Sequence, residues 1–280
     1  MIANARMYAV SPKVAGLWRA LLSAIVGRSG LSITLIEHTE PAPIDALWRR
    51  EDKAAVFMCG LPIARREPPA ILVAAPVPSP VEFRGMPQYW SELVVHAASP
   101  YRSIEQTFGR RIAFTVPDSQ SGCVAALEYF MASGGACPRF HEIIAPQITP
   151  LGAVTAVIEG AAEIAPIDSY AFALLTRYRP DLTSQLRAIA RTAPTPIPAF
   201  VASPGALSSD GLESLRSAFC GAHQMPLTRE LMEQLLLRRF VQPPADSYDL
   251  LRENFEAATR YWSAHPLATV TDPAFASDTQ

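Results

Sequence analysis

The sequence predicts an α/β protein of two lobes joined by two crossing strands. Short apolar runs alternate with stretches of helical periodicity from the start of the chain. This β-α-β-α-β order is typical of a parallel sheet with crossover helices. The same alternation resumes after residue 110, which indicates a second α/β half. A chain of 280 residues, 49% of them hydrophobic, is long enough to build two medium-sized cores.

The first half opens with a predicted strand over residues 2–8. Ser11 and Pro12 have the residue types of a helix N-cap and first helical position. Apolar residues then recur at helical spacing over 14–25, and a second strand is predicted over 31–38. The remaining elements predicted here are a helix over 42–50 and strands over 54–58, 71–80 and 91–97.

The second half repeats the alternation and leads into a helical C-terminal segment. Its predicted strands are 111–116, 142–145, 162–167, 186–192 and 199–202. Its predicted helices are 122–132, 151–159, 169–178, 211–220, one starting at Thr228, and 247–263. The chain therefore crosses into lobe two near 92–100 and returns near 192–200. These crossings assign residues 1–92 and 199–280 to lobe one and 93–198 to lobe two, with a ligand cleft expected between the lobes.

Composition excludes several classes of function. The net charge is −2 and the Lys and Arg residues form no dense run, so a nucleic-acid surface is not expected. We recognise neither a signal peptide nor an apolar segment long enough to insert into a membrane. The four cysteines form no CxxC pair and the five histidines no HxxxH or HxH spacing, so no metal site is predicted. We find no GxGxxG, P-loop or GxSxG motif, and assign neither cofactor nor catalytic residue.

The strongest local signal is the turn Ser119-Gln120-Ser121-Gly122, which follows a predicted strand and begins a predicted helix. The first amides of a helix have no intrahelical acceptor and attract anions. The serine hydroxyls add donors, and glycine lets a ligand approach the backbone. We expect an anion to bind here; an ordinary serine N-cap is the alternative.

A second signal is Asp168-Ser169, which ends an apolar strand and begins another helix. The carboxyl ends of strands are where open α/β sheets bind ligands. Asp168 is therefore expected to accept a hydrogen bond from an amine or hydroxyl of the ligand, unless it only caps its helix.

A third candidate is Cys59-Gly60, at the carboxyl end of the strand over 54–58, with Tyr8 at the end of the first strand. We expect these residues to line the ligand site. The alternative, a nucleophilic Cys59, needs a base that lowers its pKa.

These motifs together resemble the PhnD-like phosphate/phosphite/phosphonate substrate-binding proteins of ABC transporters. The resemblance covers most of residues 1–220 and is strongest in the run Phe108-Gly109-Arg110-Arg111-Ile112 that leads to the Ser-x-Ser-Gly turn. Residues 153–169 look like the family's helix–Gly–strand–Asp segment, and 195–198 like its return crossover. In place of the family's frequent Ser-His-Asp turn, this chain has Thr149-Pro150-Leu151.

The resemblance implies a type II periplasmic-binding fold in which the Ser-x-Ser-Gly turn holds a phosphonate or phosphate group. It also implies an ABC permease as partner and a periplasmic location, although the unrecognised signal peptide leaves the cytoplasm open. The leading hypothesis is a solute-binding protein, not an enzyme. The alternatives are a cytoplasmic enzyme on the same fold, similar to menaquinone- or thiamine-precursor enzymes, and a cytosolic ligand sensor.

Overall fold

The computed structural model describes residues 1–39, 42–132, 140–264 and 268–270. The strands in these ranges are β1 (Ile2–Asn4), β2 (Thr34–Leu35), β3 (Lys53–Met58), β4 (Ile71–Pro78), β5 (Gln88–Tyr89), β6 (Ser91–His96), β7 (Arg111–Ala113), β8 (Phe140–Ile144), β9 (Ile164–Asp168), β10 (Leu186–Arg191), β11 (Thr195–Pro196), β12 (Ala199–Ala202), β13 (Leu237–Val241) and β14 (Ala268–Val270). The helices are α1 (Pro12–Ser29), α2 (Ile44–Trp48), α3 (Gly60–Arg65), α4 (Ala125–Ala132), α5 (Pro150–Ile158), α6 (Ser169–Tyr178), α7 (Pro180–Thr183), α8 (Ser209–Cys220), α9 (Pro226–Gln234) and α10 (Asp249–Ala264).

The chain divides into two compact units, which confirms the predicted two-lobed α/β fold. The first unit comprises Met1–Gln88 and Pro196–Asp249, and the second comprises Tyr89–Thr195 and Leu250–Gln280. Both crossings fall within a few residues of the predicted ones, and each lies inside a strand of the small β5–β11 sheet. The C-terminal segment differs from the prediction, because it joins the second unit instead of lobe one.

The first unit is built on a mixed sheet with strand order β13-β4-β12-β3-β1-β2. The pairs β1–β2 and β1–β3 are parallel, as the early β-α-β pattern predicts. The returning strand β12 runs antiparallel between β3 and β4, and β13 is antiparallel to β4. The parallel pairs are therefore formed by strands that precede the first crossing. The strands β12 and β13, which follow the return crossing, pair antiparallel.

Helix α1 follows its sequence signals closely. The hydroxyl of Ser11 accepts the amide hydrogen of Val14 and caps the helix, with Pro12 in the first position. Gly30 ends the helix in the left-handed conformation, at φ 70°, where glycine carries no Cβ penalty. The predicted apolar stripe is buried and includes Trp18, whose indole packs edge-on against Phe57 and Phe200.

The second unit is built on a sheet with order β10-β6-β9-β7-β8-β14. Strands β7, β8 and β9 are parallel, whereas the crossing strands β6 and β10 are antiparallel to their neighbours. Its core joins side chains from the sheet and from α4, among them Leu93, Ile112, Phe114 and Phe130.

Helix α10 belongs to this unit because its side chains bond to α4. The indole of Trp262 donates to the carbonyl of Leu127 at 3.3 Å, and the amide of Asn254 donates to Glu128 at 3.5 Å. Strand β14 then pairs in parallel with β8. Helical periodicity over 247–263 predicts the helix but contains no information about the sheet it packs against.

Three local predictions differ from the structure. The strand predicted over 2–8 ends at Asn4, because the Asn4 side chain accepts the amide of Arg6 and turns the chain into a short 3-10 helix. The strand predicted over 31–38 shortens to β2, an edge strand that pairs only with the three-residue β1 among the described strands. The edge strand β13 was not predicted.

Candidate functional site

The candidate site lies at one edge of the second unit's sheet. Strands β7 and β9 are parallel, so their carboxyl ends meet at this edge. The turn after β7 contains Ser119–Gly122, and β9 ends at Asp168. The antiparallel strand β6 starts here, with Ser91 paired directly to Asp168. The topology thus brings the two predicted polar motifs of this unit together.

Ser119 caps the helical segment that opens at Gln120. Its hydroxyl accepts the Gly122 amide at 3.0 Å, and its carbonyl accepts the Val124 amide at 3.0 Å. The first five residues, Gln120–Val124, form a π-helical turn that continues directly into α4. Such π-helical turns are rare in proteins, and those that occur often lie at functional sites. The Ser119 hydroxyl therefore has a structural role in the turn.

The side chain of Gln120 points into the protein. The residue is 0% exposed, and its amide nitrogen donates to Glu128 at 3.4 Å. Burial raises the pKa of Glu128, while the hydrogen bonds from Gln120 and Asn254 offset part of that rise. The Gln120 side chain therefore packs within the unit, against Glu128 of α4.

Ser121 connects three elements of the edge. Its hydroxyl lies at 3.5 Å from Oδ2 of Asp168, and its carbonyl accepts the Ser91 hydroxyl at 2.6 Å. The residue is buried at 8% exposure. The long distance to Asp168 makes this hydrogen bond weak, so the hydroxyl can turn to a better acceptor at low cost.

Gly122 is required by packing against the strand end. A Cβ built at this position would lie 1.9 Å from Oγ1 of Thr115 and 2.9 Å from the Ser119 hydroxyl. The Gly122 carbonyl also accepts the Thr115 amide at 3.2 Å. The absence of a side chain here lets the turn close on Thr115, a reason for glycine that sequence reasoning did not identify.

Asp168 and Ser169 join β9 to helix α6. One carboxylate oxygen of Asp168 accepts the amides of Tyr170 and Ala171 at 2.8 and 2.9 Å, which makes Asp168 the N-cap. The Ser169 hydroxyl accepts the Trp90 amide at 3.1 Å. Asp168 is 6% exposed, and its second oxygen faces Ser121.

Sequence reasoning missed two further members of this polar cluster, Ser91 and Thr192. The Ser91 amide donates to the Thr192 hydroxyl at 2.9 Å, and the Thr192 amide donates back to the Ser91 carbonyl at 3.0 Å. Both residues are buried. Ser91 starts the crossing strand β6, and Thr192 follows the end of its antiparallel neighbour β10. The sequence signal that could have identified them is a polar residue at each predicted crossing.

An ion pair lies beside this cluster on the same two strands. Glu92 accepts hydrogen bonds from the indole of Trp90 at 2.7 Å and from the guanidinium of Arg191 at 2.9 Å. The Arg191 guanidinium carbon also lies 5.0 Å from the centre of the Trp90 ring, within cation–π range. These contacts fix the start of β6 next to Ser91.

The predicted residues of the first unit follow the parallel strands β1 and β3. Tyr8 is buried, and its ring packs edge-on against Phe57 with centroids 5.3 Å apart. Cys59 precedes α3, and its carbonyl accepts the Ile63 amide at 3.3 Å. Gly60 is the buried first residue of α3. Because β1 and β3 are parallel neighbours, the segment after β1, which contains Tyr8, starts beside the segment after β3, which contains Cys59.

Two of the described thiols, those of Cys123 and Cys59, are buried. Burial raises the pKa of the Cys123 thiol strongly, which keeps it protonated and unreactive. Cys59 is also buried, at 7% exposure. Among the residues described, no three His, Cys, Asp or Glu side chains are grouped so that they could hold a metal ion.

The fold and this donor-rich edge define the class of two-lobed solute-binding proteins. More specifically, residues 17–248 match the family model described as "ABC transporter, phosphonate, periplasmic substrate-binding protein". The chain belongs to this family of phosphonate-binding components of ABC transporters. No curated protein sequence is similar enough to match.

Solved structures agree with this assignment of the fold. A binding protein component of an ABC phosphonate transporter from Pseudomonas aeruginosa is 17% identical, with a TM-score of 0.75 over 94% of this chain and 88% of its own. PhnD1 from Prochlorococcus marinus, in complex with methylphosphonate, is 16% identical, with a TM-score of 0.75 over 92% and 97%. XAC2383 from Xanthomonas citri, bound to ATP, is 15% identical, with a TM-score of 0.64 over 92% and 96%.

The family is one of periplasmic binding proteins. No helix in the described ranges is at once long and apolar enough to cross a bilayer.

Proposed function

We propose that this chain binds a small phosphorus oxyanion, a phosphonate or phosphate, at the edge formed by Ser121 and Asp168. The observation that supports this proposal is the helical segment that opens at Gln120, in the turn after the parallel strand β7. From Gln120 through α4 it is a continuous helical run, long enough for its first amides to act together on an anion.

The hydrogen bonds of the turn support the following assignment of groups to the ligand. The Gly122 amide is taken by the Ser119 hydroxyl. We assign the amide of Ser121, a residue that keeps 8% exposure, as a donor for an oxyanion. The Ser121 hydroxyl exchanges its weak contact with Asp168 for a stronger bond to a charged oxygen. Asp168 then accepts a hydrogen bond from a hydroxyl or amine of the bound solute.

Calorimetric titration tests this proposal. Protein freed of endogenous ligand by unfolding and refolding is titrated with methylphosphonate, phosphate, phosphite and sulfate. We expect at least one phosphorus oxyanion to bind. Ser121→Ala should weaken its binding by about tenfold or more, as expected for loss of a hydrogen bond to a charged group. Ser184→Ala, at an exposed serine of the same unit, is the matched control and should leave the affinity unchanged.

Binding of no phosphorus oxyanion by the refolded protein would contradict the proposal. Unchanged affinity in the Ser121→Ala protein would reject the assigned residues while leaving the class of solute in place.

We further propose that the protein acts in the periplasm, where it delivers the bound solute without chemical change to an ABC permease. The family description supports this role. The Cys123 thiol is buried and protonated, so it is not available as a nucleophile that would alter the solute. Deletion of the gene should abolish growth on the bound phosphonate as sole phosphorus source but not on abundant phosphate. Equal growth of the deletion strain on both would contradict a role in uptake.

A further inference from the structure

The first unit contains a pocket of about 230 Å³ that is separate from the predicted solute residues. It is bounded by β1 and the segment after it, by one face of α1, and by the end of β2. Tyr8, Cys59 and Gly60 are not among the residues that line it. Its lining lies wholly within the first unit, whereas Ser121 and Asp168 belong to the second.

The walls of this pocket are mainly apolar. Leu22, Ile36 and Trp18 are among the residues that line it. Gly16 leaves the middle of the α1 face open, since a Cβ built there would meet no atom within 4 Å. The pocket therefore has room and apolar surface for a short hydrocarbon chain.

Trp18, one of the lining residues, has a hydrogen-bond donor that is unused in the described structure. The residue is 1% exposed, and its indole nitrogen reaches no acceptor among the described residues. A buried donor without an acceptor costs free energy.

The charged groups that line the pocket favour an anion. They comprise the guanidinium groups of Arg6 and Arg19 against one carboxylate, Glu37. Arg19 and Glu37 form an ion pair, but both side chains are more than half exposed, at 56% and 73%. Such exposed pairs contribute little, so a ligand carboxylate can replace Glu37 as the partner of Arg19.

We propose that this pocket binds a small monocarboxylate with a short apolar tail. Its carboxylate pairs with Arg19 and Arg6, and its tail lies against Trp18 and Leu22 in the space above Gly16. Its lining residues are distinct from those assigned to the oxyanion site in the second unit, and the proposal does not rest on the transport role.

Hexanoate is the test ligand, and the neutral hexanamide is its matched control. The readout is the indole N–H resonance of Trp18 in a ¹H–¹⁵N spectrum, identified by its loss in Trp18→Phe. We expect hexanoate to shift this resonance saturably and hexanamide to shift it far less. Equal shifts from the two compounds, or no shift with hexanoate, would overturn the proposal.

Two variants with opposite effects make the test sharper. Gly16→Leu fills the pocket and should abolish the shift, whereas Gly27→Leu in the same helix, also without a Cβ contact within 4 Å, should retain it. Glu37→Gln removes the competing carboxylate and should lower the Kd for hexanoate several-fold. Because Glu37 is exposed, this variant tests the charge argument even where Gly16→Leu fails to fold.

Unchanged binding in the Gly16→Leu and Glu37→Gln proteins would place the ligand elsewhere and reject the site. Ser121→Ala should leave hexanoate binding intact, so failure of the oxyanion proposal and failure of this one are distinguishable.

Discussion

The hydroxyl of Ser121 lies 3.5 Å from a carboxylate oxygen of Asp168, although the two residues are 47 positions apart in the chain. This contact joins the turn after β7 to the end of β9. It places the hydroxyl that we propose as an anion ligand beside a carboxylate that caps a helix. Under that proposal, stability and ligand binding are linked at Asp168.

Asp168→Ala should destabilise the protein by about 2 kcal/mol, because the amides of Tyr170 and Ala171 lose their shared acceptor. Asp168→Asn keeps an oxygen in the capping position and should lose less than half as much. The free energies of unfolding follow from urea titrations monitored by circular dichroism. Equal losses in the two variants would contradict the capping role.

Gly122→Ala should destabilise the protein by about 1–3 kcal/mol, because the new methyl group overlaps the Thr115 side chain. Adding Thr115→Ala should restore part of this loss, since the nearest atom, Oγ1, is removed while Cβ remains at 2.9 Å. Gly27→Ala in the open helix α1 is the control and should stabilise by up to about 1 kcal/mol. Thermal unfolding of the four proteins measures these differences, and full stability of Gly122→Ala would show that the turn has room.

Glu128→Gln should raise the melting temperature at neutral and alkaline pH. Folding raises the pKa of this carboxyl by burial. The wild-type protein therefore has the full benefit of a protonated Glu128 below the unfolded pKa and loses it as pH rises through the folded pKa. The difference between variant and wild type should vanish near about pH 4.

Scanning calorimetry from acid to alkaline pH measures this dependence on pH. Glu159→Gln, at an exposed position, should show no comparable change. A pH-independent effect of Glu128→Gln would mean that packing and not ionisation is responsible.

Arg187→Met should destabilise the protein by about 2 kcal/mol. The guanidinium donates to the carbonyls of Ala97, Ser99 and Tyr101 at 2.6–2.9 Å and closes the loop after β6. Arg187→Lys should recover only part of this loss, because an ammonium cannot reproduce the planar donor geometry. Urea unfolding tests the series with the exposed Arg229→Met as control, and full rescue by lysine would argue that charge alone matters.

Most of the fold was predictable because local and tertiary preferences agree in its long elements. Helix α1 has a cap, a proline at its first position, a periodic stripe and a terminal glycine, and it forms where these signals predict. The strands β12 and β9 are buried on both faces and read as continuous apolar runs. The edge strands β2 and β13 were harder to predict, since they have one neighbour each and a weaker pattern.

The candidate site was predictable in position more than in detail. The turn at Ser119–Gly122 and the end of β9 are adjacent, as expected for carboxyl ends of parallel strands. The sequence does not show that Gln120 turns inward to Glu128, or that Gly122 makes room for Thr115. Those features depend on side chains that only the folded chain brings within contact, such as Asn254 on α10. Which residues bind the solute stays a prediction.

The path of the chain through the two units has a consequence for synthesis on the ribosome. The first unit needs its strand β13, and the second needs α10 and β14, which follow it in sequence. Neither unit can therefore complete its sheet until nearly the whole polypeptide has emerged. A nascent chain arrested before Asp249 would present α4 without its partner helix, an exposed apolar surface of the kind that chaperones recognise.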